Sequence, residues 1–456
     1  MGDVWYLHHH CKFFYIYKHM KWSRYNVLFY SEKLGYALFN SSMLSLTTID
    51  KNTYDLFCEI RDGVEDAESR LTAEDLDNLK NGKVFVEENE DNEYVSMLRF
   101  KRQRQAYSSK TLGMVICPTL ACNFACPYCY EHNLPVTSMK DDIQNRLVDF
   151  INRYADSFEG FTINWHGGEP LVAFDTIKSL YSKFEKDVRL PITNSAMVTN
   201  GYLLNKEICE FFNQHRLDYM QITIDGNKET HNKTRRLKNA QSSFERIIEN
   251  VDMAAELMPD CLIGIRTNIG RANREEYPAL HKELSDRWAG KNVKIYHAYV
   301  QDNSLNTCYA KRCAVELSTK EKNDFDILLA KNGIKQKKSL YPRLDKTFYT
   351  CMDNNAYVVD PKGFLYKCWG DVGIEERSIG TLKDGITNFR IVSQFMIDSD
   401  KFSDSKCLEC PFLPICDGGC NLYRVGKIEK GIPYNVCNFD EQGLVRFIEL
   451  YCEDMK

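Results

Sequence analysis

The chain has 456 residues, with 59 Lys or Arg against 64 Asp or Glu, a formal net charge of −5. That balance gives no electrostatic footing for a nucleic-acid or anionic-membrane binder, and no apolar run reaches the ~18–20 residues of a membrane-spanning helix. A hydrophobic content of 43% with 27% charged residues is that of a globular chain of about three domains, which has no need of disulfide staples to account for its 18 cysteines.

Residues 1–19 mix His, Lys and aromatics without the uninterrupted apolar stretch of a secretory signal, so they read as a non-targeting tail of a cytoplasmic protein, with Met20 an equally natural start. The run His8, His9, His10 reads as part of that solvated tail, metal binding being the alternative. Over residues 20–105, Tyr25–Tyr30 and Tyr36–Asn40 predict a hairpin turned at Lys33–Gly35. Asp50–Ile60 and Leu71–Leu79 predict two helices, and Val84–Glu87 with Tyr94–Leu98 a closing pair of strands. The order describes a small, winged-helix-like α+β unit.

From residue 110 to 305 strand and helix patterns alternate. Leu112–Ile116, Phe161–Trp165, Ser195–Val198, Met220–Ile224, Leu262–Asn268 and Val293–Val300 read as strands, with amphipathic helices clearest at Asp142–Tyr154, Phe174–Phe184 and Phe244–Leu257. Six βα units imply parallel strands with right-handed crossovers, a barrel-like α/β architecture short of the eight units of a TIM barrel. Functional groups then belong at the carboxyl ends of the strands.

The first strand runs into Cys122-Asn-Phe-Ala-Cys126-Pro-Tyr-Cys129, three thiols within eight residues. Thiolates satisfy iron and zinc alike. His132 offers to complete a Cys3His zinc set; without a fourth ligand, the triplet caps three corners of an iron–sulfur cubane and leaves one iron open. The second strand ends in His166-Gly167-Gly168-Glu169-Pro170, where two glycines permit close backbone approach and the carboxylate can accept from an ammonium group; alone, the motif is also a turn with Pro opening a helix. The third and fourth strands end in Thr199-Asn200-Gly201 and Thr223-Ile224-Asp225-Gly226, which ordinary turn chemistry also explains. His231-Asn-Lys-Thr-Arg235 follows.

Residues 306–350 read as a linker, after which the cysteines cluster again at Cys351, Cys368, Cys407, Cys410, Cys416, Cys420 and Cys437. Asn355–Lys367 reads as a hairpin turned at Asp360–Gly363, which sets Cys351 beside Cys368. A zinc ribbon is the alternative for the four cysteines at 407–420, but it gives the other three no purpose. Residues 441–456 read as a terminal helix.

The triplet with Tyr128 before its last Cys resembles the signature of the radical S-adenosylmethionine (radical SAM) enzymes. The seven later cysteines, with Gly363, resemble the pattern of the SPASM auxiliary domain over 351–440. The resemblance implies a partial (β/α)6 TIM-like barrel and three [4Fe–4S] clusters: one on Cys122, Cys126 and Cys129 that binds S-adenosylmethionine, and two auxiliary ones. Cys407, Cys410, Cys416 and Cys437 would hold the outer of these, and Cys351, Cys368 and Cys420 the inner. The fourth ligand of the inner cluster is left to Cys308, Cys313 or an open position. The family's GGE motif matches Gly167, Gly168 and Glu169 at the cofactor's methionyl amine. Tyr128, Asn200, Thr223, Asp225 and Arg235 are the further cofactor contacts it implies, although Asn232 stands where the family has an acid.

In such enzymes reductive cleavage of the sulfonium gives a 5′-deoxyadenosyl radical that removes a hydrogen atom from substrate. The implied activity is modification of a ribosomal peptide or protein side chain, by crosslinking or oxidation, fed by an electron donor such as flavodoxin or ferredoxin. Tyr36–Asn40 and Asp62-Gly63 weakly resemble a leader-peptide-binding domain, a structural cap being the alternative. The runner-up activity is sulfatase maturation to formylglycine; that reading expects an acid directly after Cys368, where Trp369 stands, with Asp371 as substitute. A zinc-stapled, non-catalytic peptide binder is the reading from another class.

Overall fold

The computed structural model describes residues 20–131, 134–300, 316–334, 340–347, 349–431, 436–438 and 440–455. The His8–His10 tail, His132, Cys308 and Cys313 lie outside them.

Near the amino end, β1 (Met20–Trp22) precedes the expected hairpin of β2 (Asn26–Ser31) and β3 (Gly35–Asn40), to which β4 (Ser45–Ile49) adds antiparallel. Strand alternation gives this sheet two apolar faces. Leu28 and Leu38 pack with Phe57 and Ile60 of α1 (Lys51–Arg61), whereas Val27, Phe29, Ala37 and Phe39 pack on Ile415, Leu444 and Ile448 from the far end of the chain. Helix α1 starts where Asp50 accepts the backbone N–H groups of Asn52 and Thr53, and α2 (Ala73–Asn81) starts at a Thr72–Asp75 capping box.

One expected strand is a helix. Strand β5 (Phe85–Glu87) pairs antiparallel with β1, while Tyr94–Leu98 lies inside α3 (Glu90–Tyr107). Glu90, Asp91 and Glu93 suit the positive end of the helix dipole. Tyr94, Val95 and Leu98 then fall on one helical face against Tyr25, Phe402 and Leu413.

The core is six parallel strands in chain order: β6 (Thr111–Ile116), β7 (Gly160–Trp165), β8 (Ile192–Thr199), β9 (Tyr219–Thr223), β10 (Leu262–Ile269) and β11 (Val293–Tyr299). The connecting helices include α4 (Asp141–Asn152), α5 (Phe174–Asp187), α6 (Lys206–Gln214), α7 (Lys228–Thr234), α8 (Phe244–Leu257) and α9 (Tyr277–Arg287). Alternate strand residues such as Ile163, Trp165, Ile222 and Ile265 join Leu147, Leu180, Phe212 and Val251 in one buried core. The stretch read as a linker contains a helix, α10 (Thr319–Lys331), whose Ser318–Glu321 capping box marks its start.

Past the linker, β12 (Ala356–Val359) and β13 (Phe364–Tyr366) form the expected hairpin, extended by the short β14 (Gly380–Thr381) and β15 (Gly385–Ile386). Strand β12 runs parallel to β6, with Ala356 opposite Gly113, so the cysteine-rich region is fused to the first core strand. The chain ends with α11 (Asn421–Lys430) and α12 (Glu441–Asp454). No described helix is long and apolar enough to cross a membrane.

Candidate active site

The cluster loop leaves β6 and is clamped at once by the β7 turn. The N–H of Gly168 donates to Thr119 O at 3.2 Å and that of Glu169 to Ala121 O at 2.9 Å. Gly167 sits at φ +110°, where a Cβ would stand 2.4 Å from Thr119 O; one on Gly168 would stand 2.5 Å from Ala121 O. Both positions therefore require glycine. The loop presents Cys122, Cys126 and Cys129 together. Burial above all pushes the Cys122 thiol up to about 12 and the Cys129 thiol to about 11, with the neighbouring thiols adding to both.

Glu169 is buried and its carboxylate is already engaged. Oε1 accepts from Leu171 N at 3.0 Å and Thr199 Oγ1 at 2.7 Å, and Oε2 from Asn200 N at 2.7 Å. Burial nevertheless raises its pKa, against those three donors. Asn200 in turn donates from Nδ2 to Asn123 Oδ1 of the cluster loop at 2.7 Å. The ends of β7 and β8 and the cluster loop thus form one hydrogen-bonded unit.

The expected residues further along the sheet also meet. Tyr128 donates to Asp225 Oδ2, and Arg235 Nη1 donates to the Tyr128 hydroxyl at 2.8 Å while standing 3.8 Å from Asp225 Oδ2. Asp225 Oδ1 accepts from Asn268 N at 2.9 Å, and Arg235 lies 5.6 Å over the Phe124 ring. Burial and Asp225 together hold the Tyr128 phenol well above its ordinary value, so it stays a donor. Thr223 ends β9 and is buried beside them.

Behind this network His231 Nδ1 accepts from Asp225 N at 3.3 Å and Nε2 meets Ser243 Oγ at 3.2 Å, while Ser243 Oγ donates to Arg235 O at 2.7 Å. Burial, with Arg235 nearby, drops the His231 pKa to about 3. Asn232, where the resembled motif has an acid, still accepts: its Oδ1 takes the N–H groups of Ser243 and Phe244 at the start of α8.

Further residues join the site. His166 stacks on Trp369 with ring centroids 5.5 Å apart and planes 4° from parallel, which brings the residue after Cys368 onto the turn that clamps the cluster loop. Burial, with Arg266 adding, lowers the His166 pKa to about 4. Glu131 lies with Oε1 3.8 Å from His166 Nδ1, and burial raises its carboxyl to about 7. Sequence offers only one hint of it, a carboxylate two residues past Cys129 in an aromatic stretch. Asp371 is also buried, but its oxygens pair with Arg377 Nε at 3.1 Å and Nη2 at 3.3 Å.

Polar atoms without a protein partner fit a polar occupant. Asn123 Nδ2, Asn164 Oδ1 and Arg235 Nε are buried without a hydrogen-bond partner. Residues 116–284 match the family model described as the Radical SAM superfamily. The protein carries a radical SAM domain. Domains of this superfamily use a [4Fe–4S] cluster and S-adenosylmethionine.

The chain is 30% identical over 156 residues to the serine-type anaerobic sulfatase-maturating enzyme of Bacteroides thetaiotaomicron, a match spanning 32% of this chain and 37% of that enzyme. It is 24% identical over 362 residues to the cysteine-type anaerobic sulfatase-maturating enzyme of Clostridium novyi, spanning 72% of this chain and 92% of that one. In three dimensions it is similar to native anSMEcpe with bound AdoMet and the Cp18Cys peptide, at a TM-score of 0.59 and 19% identity, over 76% of this chain and 98% of the other. That likeness extends the fold beyond the matched domain.

The cysteines expected to hold auxiliary clusters fall into two groups. Cys351 is pushed up to about 12 by burial with Cys420 adding, and Cys368 is driven well up by burial with Asp371, Cys351 and Cys420 adding. Burial raises Cys410, with Cys407 and Cys437 adding, and takes Cys416 to about 11, with Asp417 and Cys407 adding. Among the described residues, no three His, Cys, Asp or Glu side chains close around a single metal ion.

Proposed function

We propose that the protein uses S-adenosylmethionine and three [4Fe–4S] clusters to modify a side chain of a ribosomal peptide or protein, by crosslinking or oxidation. The observation that carries this reading is the clamp of Gly167, Gly168 and Glu169 on the loop of Cys122, Cys126 and Cys129, at the carboxyl ends of the parallel strands. When bound, the cluster and S-adenosylmethionine supply a 5′-deoxyadenosyl radical.

The three thiols would hold that cluster, losing their protons as they ligate. The Gly167–Glu169 turn would bind the methionyl amine: Glu169 keeps one oxygen with a single donor. Tyr128, Asn200, Thr223, Asp225 and Arg235 would line the rest of the cofactor, with His231 and Ser243 fixing Asp225 and Arg235 from behind. Cys351, Cys368 and Cys420 would hold the inner auxiliary cluster, and the stack of Trp369, which follows Cys368, on His166 supports a place for it near the site. Cys407, Cys410, Cys416 and Cys437 would hold the outer one.

Peptide substrates suit the edge of β4, whose Ser45–Ile49 backbone pairs among the described residues with β3 alone; a leader segment would add there as a further strand. An electron donor of the flavodoxin or ferredoxin kind completes the reaction.

Sulfatase maturation is the second reading, favoured by the match along 92% of the Clostridium novyi enzyme. Two observations weigh against it: Trp369 is apolar and stacked, and Asp371 is tied to Arg377. The experiment is anaerobic turnover with dithionite, followed by mass spectrometry. 5′-Deoxyadenosine must form. A ribosomal precursor peptide should lose hydrogens, whereas a sulfatase-derived Cys or Ser peptide converted to formylglycine would decide for the second reading. No 5′-deoxyadenosine under either condition would sink both.

A further inference from the structure

The outer cysteine group has a buried cation aimed at one of its sulfurs. Arg424 lies in the first turn of α11, and all three nitrogens of its guanidinium are directed. Nε donates to Gly418 O at 2.7 Å, Nη1 to Asp404 Oδ2 at 3.0 Å, and Nη2 to Cys407 Sγ at 3.2 Å. The carbonyl and the carboxylate fix the plane of the fork, so the third N–H cannot swing away from the sulfur. Helix stability does not account for the residue, because a cation in a first turn opposes the helix dipole. Nor is Asp404 sufficient reason, since a buried ion pair repays its desolvation only when the remaining protons also find acceptors.

Other sulfurs receive weaker donors. Cys416 and Cys368 accept from the neutral backbone N–H groups of Gly418 at 3.3 Å and Gly370 at 3.4 Å. Lys401 lies near Cys416, but its Nζ bonds the carbonyls of Leu413 and Cys416 and pairs with Asp345, stiffening the loop. At Cys407 the donor is charged.

We infer that Arg424 sets the reduction potential of the outer auxiliary cluster through its charged N–H···S bond to Cys407. The inference rests on the reading that Cys407, Cys410, Cys416 and Cys437 hold that cluster. One-electron reduction adds negative charge to a cluster, so a fixed cation bonded to a ligand sulfur stabilises the reduced form more than the oxidised one and raises the potential. Arg424 is a positioning residue here, acting through Cys407.

The test uses full-length reconstituted protein carrying Cys122→Ala, Cys126→Ala and Cys129→Ala, which leaves auxiliary signals only. Iron and sulfide are counted, and EPR follows a potentiometric titration. Arg424→Met should move one auxiliary midpoint to more negative potential at unchanged iron content. At the parent midpoint the reduced-to-oxidised ratio should fall about tenfold, which is about 59 mV for one electron. Asp404→Asn removes the competing carboxylate, keeps the guanidinium, and should move the same midpoint the opposite way. Curves that superimpose on the parent in both variants overturn the inference. If Arg424→Met loses the outer cluster, Asp404→Asn decides alone. The cluster reading itself fails separately: Cys407→Ala with Cys410→Ala must lower the iron count, and an unchanged count would remove the outer cluster rather than the role of Arg424.

Discussion

The carboxylate of Glu169 accepts the backbone N–H of Asn200 at 2.7 Å, which ties the end of β7 to the end of β8. Thr199 Oγ1 and Leu171 N complete its set of donors. The residue proposed to meet a cofactor ammonium is thus also a fastener between strands. Glu169→Ala removes both functions, leaving three donors without an acceptor. We expect S-adenosylmethionine affinity to fall about tenfold or more, from the loss of about 1.5–3 kcal/mol for a charged hydrogen bond, together with a lower melting temperature. Glu169→Gln keeps an acceptor and should recover most of the melting temperature but not the affinity. Calorimetry of binding beside thermal unfolding checks the split; equal affinity in all three proteins would leave Glu169 as a fastener only.

Gly168 carries a second prediction. A Cβ there would stand 2.5 Å from Ala121 O and 2.6 Å from Leu120 O, both backbone atoms of the cluster loop. Neither can yield without moving the thiols. Gly168→Ala should cost about 1–3 kcal/mol by overpacking and lower iron occupancy of the first cluster, read by iron count after reconstitution. Full occupancy at normal stability would mean the loop is freer than its contacts indicate.

How far the sequence carried depended on the range of the signal. The parallel strands were legible because apolar residues recur at alternate positions, as at Phe161, Ile163 and Trp165 of β7. Cys122, Cys126 and Cys129, and the GGE turn, were legible because their chemistry is local. Tyr94–Leu98 misled because a short stretch with four apolar residues about Ser96 fits either period, and the acids that start α3 lie before it. The stack of His166 on Trp369 joins residues about two hundred positions apart, and nothing in either neighbourhood announces it. The burial of Glu131 is likewise set by tertiary packing. Asp371 looked available as an acid because its partner Arg377 is significant only once the chain turns back.

Iron content tests the cluster assignments directly. Three cubanes hold about twelve irons per chain, four in each. The anaerobically reconstituted protein should approach that number, and replacing Cys122, Cys126 and Cys129 together by Ala should leave about eight and abolish formation of 5′-deoxyadenosine. An iron count that the triple variant does not lower would remove the triplet from the site.

Acid should loosen the site from behind. His231 has a pKa of about 3 in the folded protein against an ordinary value of 6.5, because it is buried and faces Arg235. The unfolded chain therefore takes up a proton that the folded one refuses. Stability from this group is full above about pH 6.5 and declines as pH falls toward 3, by up to about 1.4 kcal/mol per pH unit. Melting temperature measured between about pH 7 and pH 5 should fall more steeply for the native chain than for His231→Gln, whose side chain does not titrate in that range. Parallel curves would place the acid sensitivity elsewhere.

The ion pair of Asp371 and Arg377 separates the two readings of function. If Asp371 served as the base of a formylglycine-forming reaction, its carboxylate would have to reach substrate. Instead both its oxygens face the Arg377 guanidinium, which also bonds Glu429 at 2.8 Å. Burial raises the Asp371 carboxyl to about 6 in spite of that partner, so the pair stands near the limit at which it holds its charge. Asp371→Asn would leave a buried guanidinium with one carboxylate in place of two. We expect a loss of stability of about 3 kcal/mol, as for removal of one member of a buried pair, while cleavage of S-adenosylmethionine continues at the native rate per folded molecule. The decisive comparison is activity normalised to folded protein at low temperature, where the destabilised variant is still native. If Asn at 371 leaves the melting temperature unchanged and stops product formation on a sulfatase-derived peptide, the carboxylate is catalytic and sulfatase maturation becomes the better account; a fall in melting temperature with cofactor cleavage intact keeps Asp371 in the framework beneath Trp369.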